Sequence, residues 1–147
     1  MSYARTAAVA ACAFISHCSP SHAQWSPAGG LLNVSVTQSC TETSGSIATS
    51  KSDGLFLCPA RINLVESQIK GASHFYIVHA YGLLAIRKNS ERLADCWAAH
   101  QLANAPNGPH YIKQWITHWT NYGVTQSTFG TPAQRIANVR SCCACGI

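Results

Sequence analysis

Three residues near the middle of the chain, His79, Glu91 and Asp95, are of the types that bind metal ions or transfer protons. His79 lies in the stretch 73–86, which is otherwise almost wholly apolar and therefore predicts a buried helix. Glu91 and Asp95 are four residues apart, so a helix places both carboxylates on one face. Imidazole and carboxylate groups are common ligands of catalytic zinc and common groups in acid–base catalysis. Their types and spacing indicate a polar site where two consecutive helices meet.

The two helices that must position these residues have recognisable ends. The run Arg-Lys-Asn at residues 87–89 closes the first helix and puts cations at the end that the helix dipole favours. Ser90 is a good N-cap for the second helix, and Glu91 then falls in its first turn, where a carboxylate is stabilised. Gly82 allows a neighbouring helix to approach closely. The pattern predicts a pair of helices joined by a tight polar turn.

The strings His-Ala-Tyr-Gly-Leu at residues 79–83 and Glu-Arg-Leu-Ala-Asp-Cys-Trp-Ala at residues 91–98 carry a family resemblance. Together they resemble the two helices of gluzincin-type zinc metallopeptidases. Those enzymes have His-Glu-x-x-His on one helix and Glu-x-x-x-Asp, often within Glu-x-x-Ala-Asp-x-x-Ala, on the next. The resemblance covers roughly the middle and C-terminal two-thirds of the chain and implies a metallopeptidase-like helical core.

The first string departs from the family pattern at the two positions that the reaction needs. Ala80 stands where the family has the glutamate that takes a proton from zinc-bound water, and alanine cannot accept a proton. Leu83 stands where the family has the second histidine ligand. The resemblance leaves His79 and Glu91 as vestigial metal ligands and Asp95 as the residue that orients the histidine. A catalytic zinc site needs three protein ligands and an open water position, so this set is too small.

The resemblance therefore implies an exported metallopeptidase-like protein that does not hydrolyse peptides and needs no cofactor. One alternative is an enzyme with weak zinc-dependent hydrolysis, in which Asp95 or His118 replaces a missing ligand. Another is a small disulfide-stapled secreted binding protein unrelated to peptidases, in which His79 is an ordinary core histidine. Because two inward carboxylates without a cation are costly to bury, we expect His79 to lie within hydrogen-bonding reach of Glu91 or Asp95.

Residues 1–23 have the features of a secretory signal. Arg5 supplies the positive charge, residues 6–15 are mostly small and apolar, and residues 21–23 fit a small-x-small cleavage pattern. The apolar run is too short to cross a membrane. We therefore expect a periplasmic or secreted protein, without membrane attachment after signal removal, that forms a single domain over residues 24–147. A short hydrophobic N-terminal tail is the alternative, as is lipidation at Cys12.

Six cysteines remain after the predicted cleavage: Cys40, Cys58, Cys96, Cys142, Cys143 and Cys145. An even number in an exported chain favours disulfides, although the sequence alone does not choose among the pairings. We favour Cys40 with Cys58, which would join the N-terminal strands. We also favour Cys96 with one of the C-terminal cysteines, with Cys142 as the candidate. A metal site in the C-terminal cluster is the alternative.

The composition predicts one globular domain. The chain has 147 residues, of which 47% are hydrophobic and only 10% charged, so it can bury an ordinary core. The net charge is +5, but the basic residues are scattered and form no basic run with interleaved aromatics. We therefore expect no binding to nucleic acid.

The chain order predicts an α+β fold in which a small antiparallel sheet precedes about five helices. Alternating or apolar character favours strands at residues 31–37 and 54–58, with a loop or weak hairpin over residues 41–52. Start signals and helical periodicity predict helices that begin near Pro59, Ser73, Ser90, His110 and Pro132. If the strand at 54–58 lies at a sheet edge, it can hold an extended peptide or protein segment by β-addition. An ordinary core strand is the alternative.

Overall fold

The computed structural model describes residues 34–52 and 54–143, so the predicted signal segment lies outside it. Within these residues the fold is α+β, as predicted from the sequence. Three short strands precede five helices: β1 Val36–Gln38, β2 Ala48–Lys51, β3 Gly54–Leu57, α1 Pro59–Gln68, α2 Ser73–Ile86, α3 Glu91–Ala103, α4 Gly108–Tyr122 and α5 Pro132–Cys143.

The sheet is mixed rather than wholly antiparallel. Its strand order is β1-β3-β2, with β1 parallel to β3 and β2 antiparallel to β3. The stretch 41–52, rich in Ser, Thr and Gly, supplies β2 and forms a hairpin with β3. Because the chain passes through this extra strand before it returns, β3 runs in the same direction as β1.

The strand at residues 54–57 is therefore not an edge strand, which confirms the alternative of an ordinary core strand. Peptide addition at residues 54–58 lacks the sheet edge on which that hypothesis depended. β3 is paired on both sides, and Leu55 within it is buried. Among the described residues the edges belong to β1 and β2. Weak strand propensity concealed β2 in the sequence, although pairing with the apolar β3 stabilises it.

Helix α2 is buried on two sides, which explains its apolar sequence. Ile77 and Ala80 pack with Leu55 of the sheet, whereas Phe75 and Val78 belong to the main core formed with α3, α4 and α5. A helix covered on both faces is hydrophobic nearly all round. Neither α2 nor any other helix within residues 34–52 and 54–143 has the length and apolarity that a bilayer crossing requires.

Close packing of α2 on α3 fixes the geometry between the two helices. A Cβ atom added at Gly82 would lie 3.0 Å from the Trp97 ring and 3.2 Å from the Ala94 carbonyl oxygen. The Ser90 hydroxyl accepts a hydrogen bond from the Leu93 N–H, so Ser90 caps α3 as predicted. A side chain at residue 82 would therefore require Trp97 or the backbone of α3 to shift by a few tenths of an ångström.

Two disulfides tie the helices to the rest of the chain. Cys40 is bonded to Cys58, which joins the turn after β1 to the start of α1. Cys96 is bonded to Cys142, which joins α3 to α5. These are the two pairings favoured from the sequence. Since Cys142 is in a disulfide, it is not available as a thiolate ligand for metal.

Candidate functional site

The His79 side chain lies between the two carboxylates of α3. Its Nε2 atom is 2.7 Å from Glu91 Oε2, and its Nδ1 atom is 2.7 Å from Asp95 Oδ1. The expectation that His79 lies within reach of Glu91 or Asp95 is confirmed for both residues. Carboxylate oxygens only accept hydrogen bonds when ionised, so a proton on Nε2 is donated to Glu91. Nδ1 is in ion-pair contact with Asp95, without the alignment of a hydrogen bond. The contacts therefore favour the imidazolium form of His79.

The electrostatics of the site support this protonation state. Burial by itself lowers the pKa of His79, but the contacts with Asp95 and Glu91 outweigh it and hold the pKa above its ordinary value. Burial by itself raises the pKa of Asp95, but the hydrogen bonds from Arg135 and the contact with His79 outweigh it, so the net shift is downward. Both groups are thus charged together over a range of pH.

Arg135 of α5 completes the site. Its Nε and Nη2 atoms donate to Asp95 Oδ2 and Oδ1 at 2.8 and 2.7 Å, a bidentate pair between two buried side chains. The guanidinium group also lies 3.6 Å from the centre of the Phe129 ring and 4.5 Å from that of Trp119. We call His79, Glu91, Asp95 and Arg135 the charge network. Its two cations and two anions sum to zero.

The charge network borders a cleft of about 700 Å³. His79, Glu91 and Arg135 line this cleft together with Ala80 and Leu83. Ala80 and Leu83 therefore line the same space as His79 and Glu91, the residues that the sequence resemblance predicted as vestigial ligands. Asp95 lies behind them and borders a separate pocket of about 580 Å³.

The residues present do not fit a catalytic zinc site. Ala80 and Leu83 offer no ligand or base, and the two remaining candidate ligand atoms, His79 Nε2 and Glu91 Oε2, are 2.7 Å apart. That distance is typical of a charged hydrogen bond, whereas two ligand atoms on one tetrahedral zinc are about 3.3 Å apart. Within residues 34–52 and 54–143, no group of three or more His, Cys, Asp or Glu side chains has the arrangement of a metal site.

The two proposed substitute ligands already have protein partners. His118 lines the cleft, but its Nδ1 atom is 2.9 Å from the Tyr76 hydroxyl and its Nε2 atom is 3.0 Å from Gln68 Oε1. The amide oxygen accepts from Nε2–H, so the hydroxyl donates to Nδ1. Asp95 is engaged by Arg135 and His79 on both oxygens. Both side chains are therefore held by contacts within the protein.

The sequence analysis missed Arg135 and Phe129 as members of this site. In the sequence, Arg135 is one of several scattered basic residues, and no motif distinguishes it from the others. Charge counting contains a signal for it, because two carboxylates, one of them buried, and one imidazolium leave a deficit of one positive charge. Which arginine supplies that charge depends on how α5 packs on α3, and no local pattern in the sequence encodes that.

Comparison with known proteins adds no family assignment: no family model, no curated protein and no solved structure matches this chain.

Proposed function

We propose that this is an exported, disulfide-stapled protein with a metallopeptidase-like scaffold, whose cleft binds an extended peptide or protein segment without hydrolysing it. The observation that carries the proposal is the position of His79. Its imidazole contacts Glu91 and Asp95 at 2.7 Å each, beside Ala80 and Leu83.

The argument against hydrolysis rests on the His79 proton. A histidine that binds zinc must present a lone pair to the ion, and metal binding therefore releases the proton that occupied that nitrogen. Here Nε2 is placed to donate to Glu91, and the raised pKa of His79 keeps the proton in place. The proton that makes His79 a cation thus helps to neutralise Glu91 and Asp95, as a bound metal ion would. Ala80 supplies no base to activate water.

The argument for peptide binding rests on the edge strand β2. Cys58 N donates to Ile47 O at 2.9 Å, so residue 47 begins the alternating ladder between β2 and β3. By that alternation Ala48 and Ser50 direct their backbone N–H and C=O groups away from β3, towards the free edge. Within residues 34–52 and 54–143 these groups have no backbone hydrogen-bond partner, so an added strand could pair with them.

A continuous groove follows that edge. Ala48 lines the cleft beside the charge network, and Ser50 lines a further cavity of about 400 Å³. Leu83 and Glu91 line both cavities, so the two are adjacent. We call the two cavities together the β2 groove. An extended segment placed in it runs along β2 and passes over the charge network.

A residual zinc enzyme is the weaker candidate, because Asp95 and His118 are both engaged by other side chains. A disulfide-stapled secreted protein without any relation to peptidases remains compatible with the two disulfides. The contact between His79 and Glu91 favours the metallopeptidase-like scaffold over it.

Restoring ligands at the cleft tests the proposal. Leu83→His places a second imidazole one helical turn from His79, and the double variant Ala80→Glu plus Leu83→His also restores the base. Because Ala80 is buried against the sheet, a glutamate there could prevent folding. The single variant Leu83→His leaves Ala80 unchanged and so keeps the test informative in that case. Leu84→His, which adds a histidine on α2 outside the cleft, is the matched control.

Zinc titration calorimetry is the measurement. We expect no stoichiometric zinc in the natural protein and a gain in zinc affinity of about tenfold or more for Leu83→His, since it completes three ligands. Leu84→His should show no such gain. Stoichiometric zinc with peptide hydrolysis in the natural protein would overturn the proposal in favour of an enzyme. A folded Leu83→His protein that gains nothing would reject the scaffold assignment.

A further inference from the structure

We infer that the β2 groove selects an acidic peptide segment that carries a large apolar side chain. The inference rests on the proposed function and adds the chemistry of the ligand. Two independent features of the described residues carry it, namely the charges along the groove and the exposed apolar side chains at its mouth.

Cations lie at both ends of the β2 groove. Arg61 lines one end, near Gly45, and Arg87 and Lys88 line the other. Within the described part of the chain none of the three makes an ion pair with an acidic side chain. The groove therefore offers an uncompensated positive charge at each end.

Within residues 34–52 and 54–143, the acidic side chains that could offset these cations already have other partners. Glu91 and Asp95 are neutralised within the charge network, and Glu42 pairs with Lys51. Glu66 accepts hydrogen bonds from the N–H groups of Gly71 and Ser73. The central charge network is neutral, so the net charge of the groove is that of its ends, and an acidic segment complements it.

The mouth of the cleft concentrates exposed apolar surface. Among the described residues the large hydrophobic side chains with high exposure are Val36, Leu64, Leu93, Tyr122 and Val124. Three of them, Leu64, Tyr122 and Val124, line this one cleft. They come from α1, from the last residue of α4 and from the segment after it. Apolar side chains collected from separate elements around one opening are typical of a site that covers a ligand's apolar group.

The test uses fluorescein-labelled, end-capped decapeptides and fluorescence anisotropy. The reference peptide has one central leucine flanked by glutamates. Its counterparts replace the glutamates by glutamine or by lysine, or the leucine by serine. A fourth counterpart keeps the side chains but carries N-methyl groups on alternate backbone amides, which removes the donors that β-addition needs.

Matched variants assign the preference to named residues. Arg61→Gln plus Lys88→Gln removes one charge from each end of the groove, whereas Arg140→Gln plus Lys113→Gln removes the same two residue types from elsewhere on the surface. Leu64→Ser is compared with Leu93→Ser, because these helical leucines are similarly exposed, at 45% and 47%. The two double variants remove the same number of charges, and the two leucine variants remove similarly exposed side chains. Within each comparison, only the position relative to the groove differs.

We expect the acidic peptide to bind about three- to tenfold more tightly than the glutamine peptide at low salt, and the preference to shrink at high salt. The Arg61 and Lys88 double variant should lose that preference, and the Arg140 and Lys113 double variant should keep it. Leu64→Ser should weaken binding about threefold or more, and Leu93→Ser should not.

The outcomes separate this inference from the proposed function. Equal binding of acidic, neutral and basic peptides, with a loss on N-methylation, would overturn the inference and leave peptide binding by the β2 edge intact. A preference that survives removal of Arg61 and Lys88 would also overturn it. Absence of binding by every peptide to the folded protein would reject the proposed function itself.

Discussion

The charge network and the β2 groove lie side by side but are built in opposite ways. In the charge network every charged side chain contacts an opposite charge at 2.7 or 2.8 Å, and Asp95 and Arg135 are almost fully buried. Along the groove, Arg61 and Lys88 lie at the surface without acidic partners in the described residues. The charges of the network are balanced by each other, whereas the cations of the groove are left to be balanced by a ligand.

Under the proposed function, this contrast would describe a scaffold that has lost a catalytic centre and kept a binding surface. Internal neutralisation by His79 and Arg135 removes the need for a metal to balance the carboxylates. It also keeps the α2–α3 junction stable, so the walls of the cleft and the edge of β2 hold their shape. If the proposed metallopeptidase-like origin holds, Ala80 and Leu83 removed the chemistry and left the fold intact.

The largest expected effect is on the free energy of unfolding, which should depend far more on a buried ion pair of the charge network than on an exposed ion pair. Asp95→Asn leaves the buried guanidinium of Arg135 without its bidentate partner, and we expect a loss of about 3–5 kcal/mol in the free energy of unfolding. Glu42→Gln, which breaks the exposed pair with Lys51, should cost about 1 kcal/mol or less. Chemical denaturation under non-reducing conditions measures both.

A double variant guards this comparison. Combining Asp95→Asn with Arg135→Met removes the stranded charge and should recover part of the lost stability. Equal small losses for Asp95→Asn and Glu42→Gln would show that the charge network stabilises the fold no more than a surface ion pair does. The contrast between the two regions would then be wrong.

A smaller effect is the pH dependence of stability. The pKa of Asp95 is lowered, so its contribution is present above the ordinary value of 3.8 and is lost as pH falls through the folded pKa. The pKa of His79 is raised, so its contribution is fully present below the ordinary value of 6.5 and is lost as pH rises through the folded pKa. The charge network should therefore stabilise most between about pH 4 and 6.5.

Comparing the natural protein with His79→Gln isolates this effect. Burial lowers the pKa of His74 and His118, so these two histidines shift stability in the opposite direction near neutral pH, but they do so in both proteins. Denaturation midpoints across the pH range should show the difference between the two proteins narrowing above pH 6.5. A constant difference would mean that the charge on His79 does not contribute.

Much of the helical part of the fold could be predicted from local signals. Helix starts are marked by Pro59, Ser90 and Pro132, and the apolar stretch of α2 predicts a buried helix. The sheet was harder, because β2 consists of Ala, Thr, Ser and Lys and forms a strand only by pairing with β3. Without that strand, the sequence left both an edge position and a core position open for β3.

The candidate site divides in the same way. His79, Glu91 and Asp95 could be brought together from the sequence because they lie on two consecutive helices. Arg135 could not, since it is 40 residues from Asp95 along the chain and its helix is positioned by tertiary packing. Contacts between consecutive elements follow from local pattern, whereas contacts between distant ones depend on the whole core.

The most direct test of the central claim is the protonation of His79 in the folded protein, read from the ¹⁵N chemical shifts of its ring near neutral pH. The account predicts that both nitrogens carry protons and that an equivalent of zinc leaves their shifts unchanged, while His79→Gln identifies the signals by their loss. A deprotonated Nε2 whose shift moves when zinc is added would contradict it, because the proton would then not hold the place of the metal.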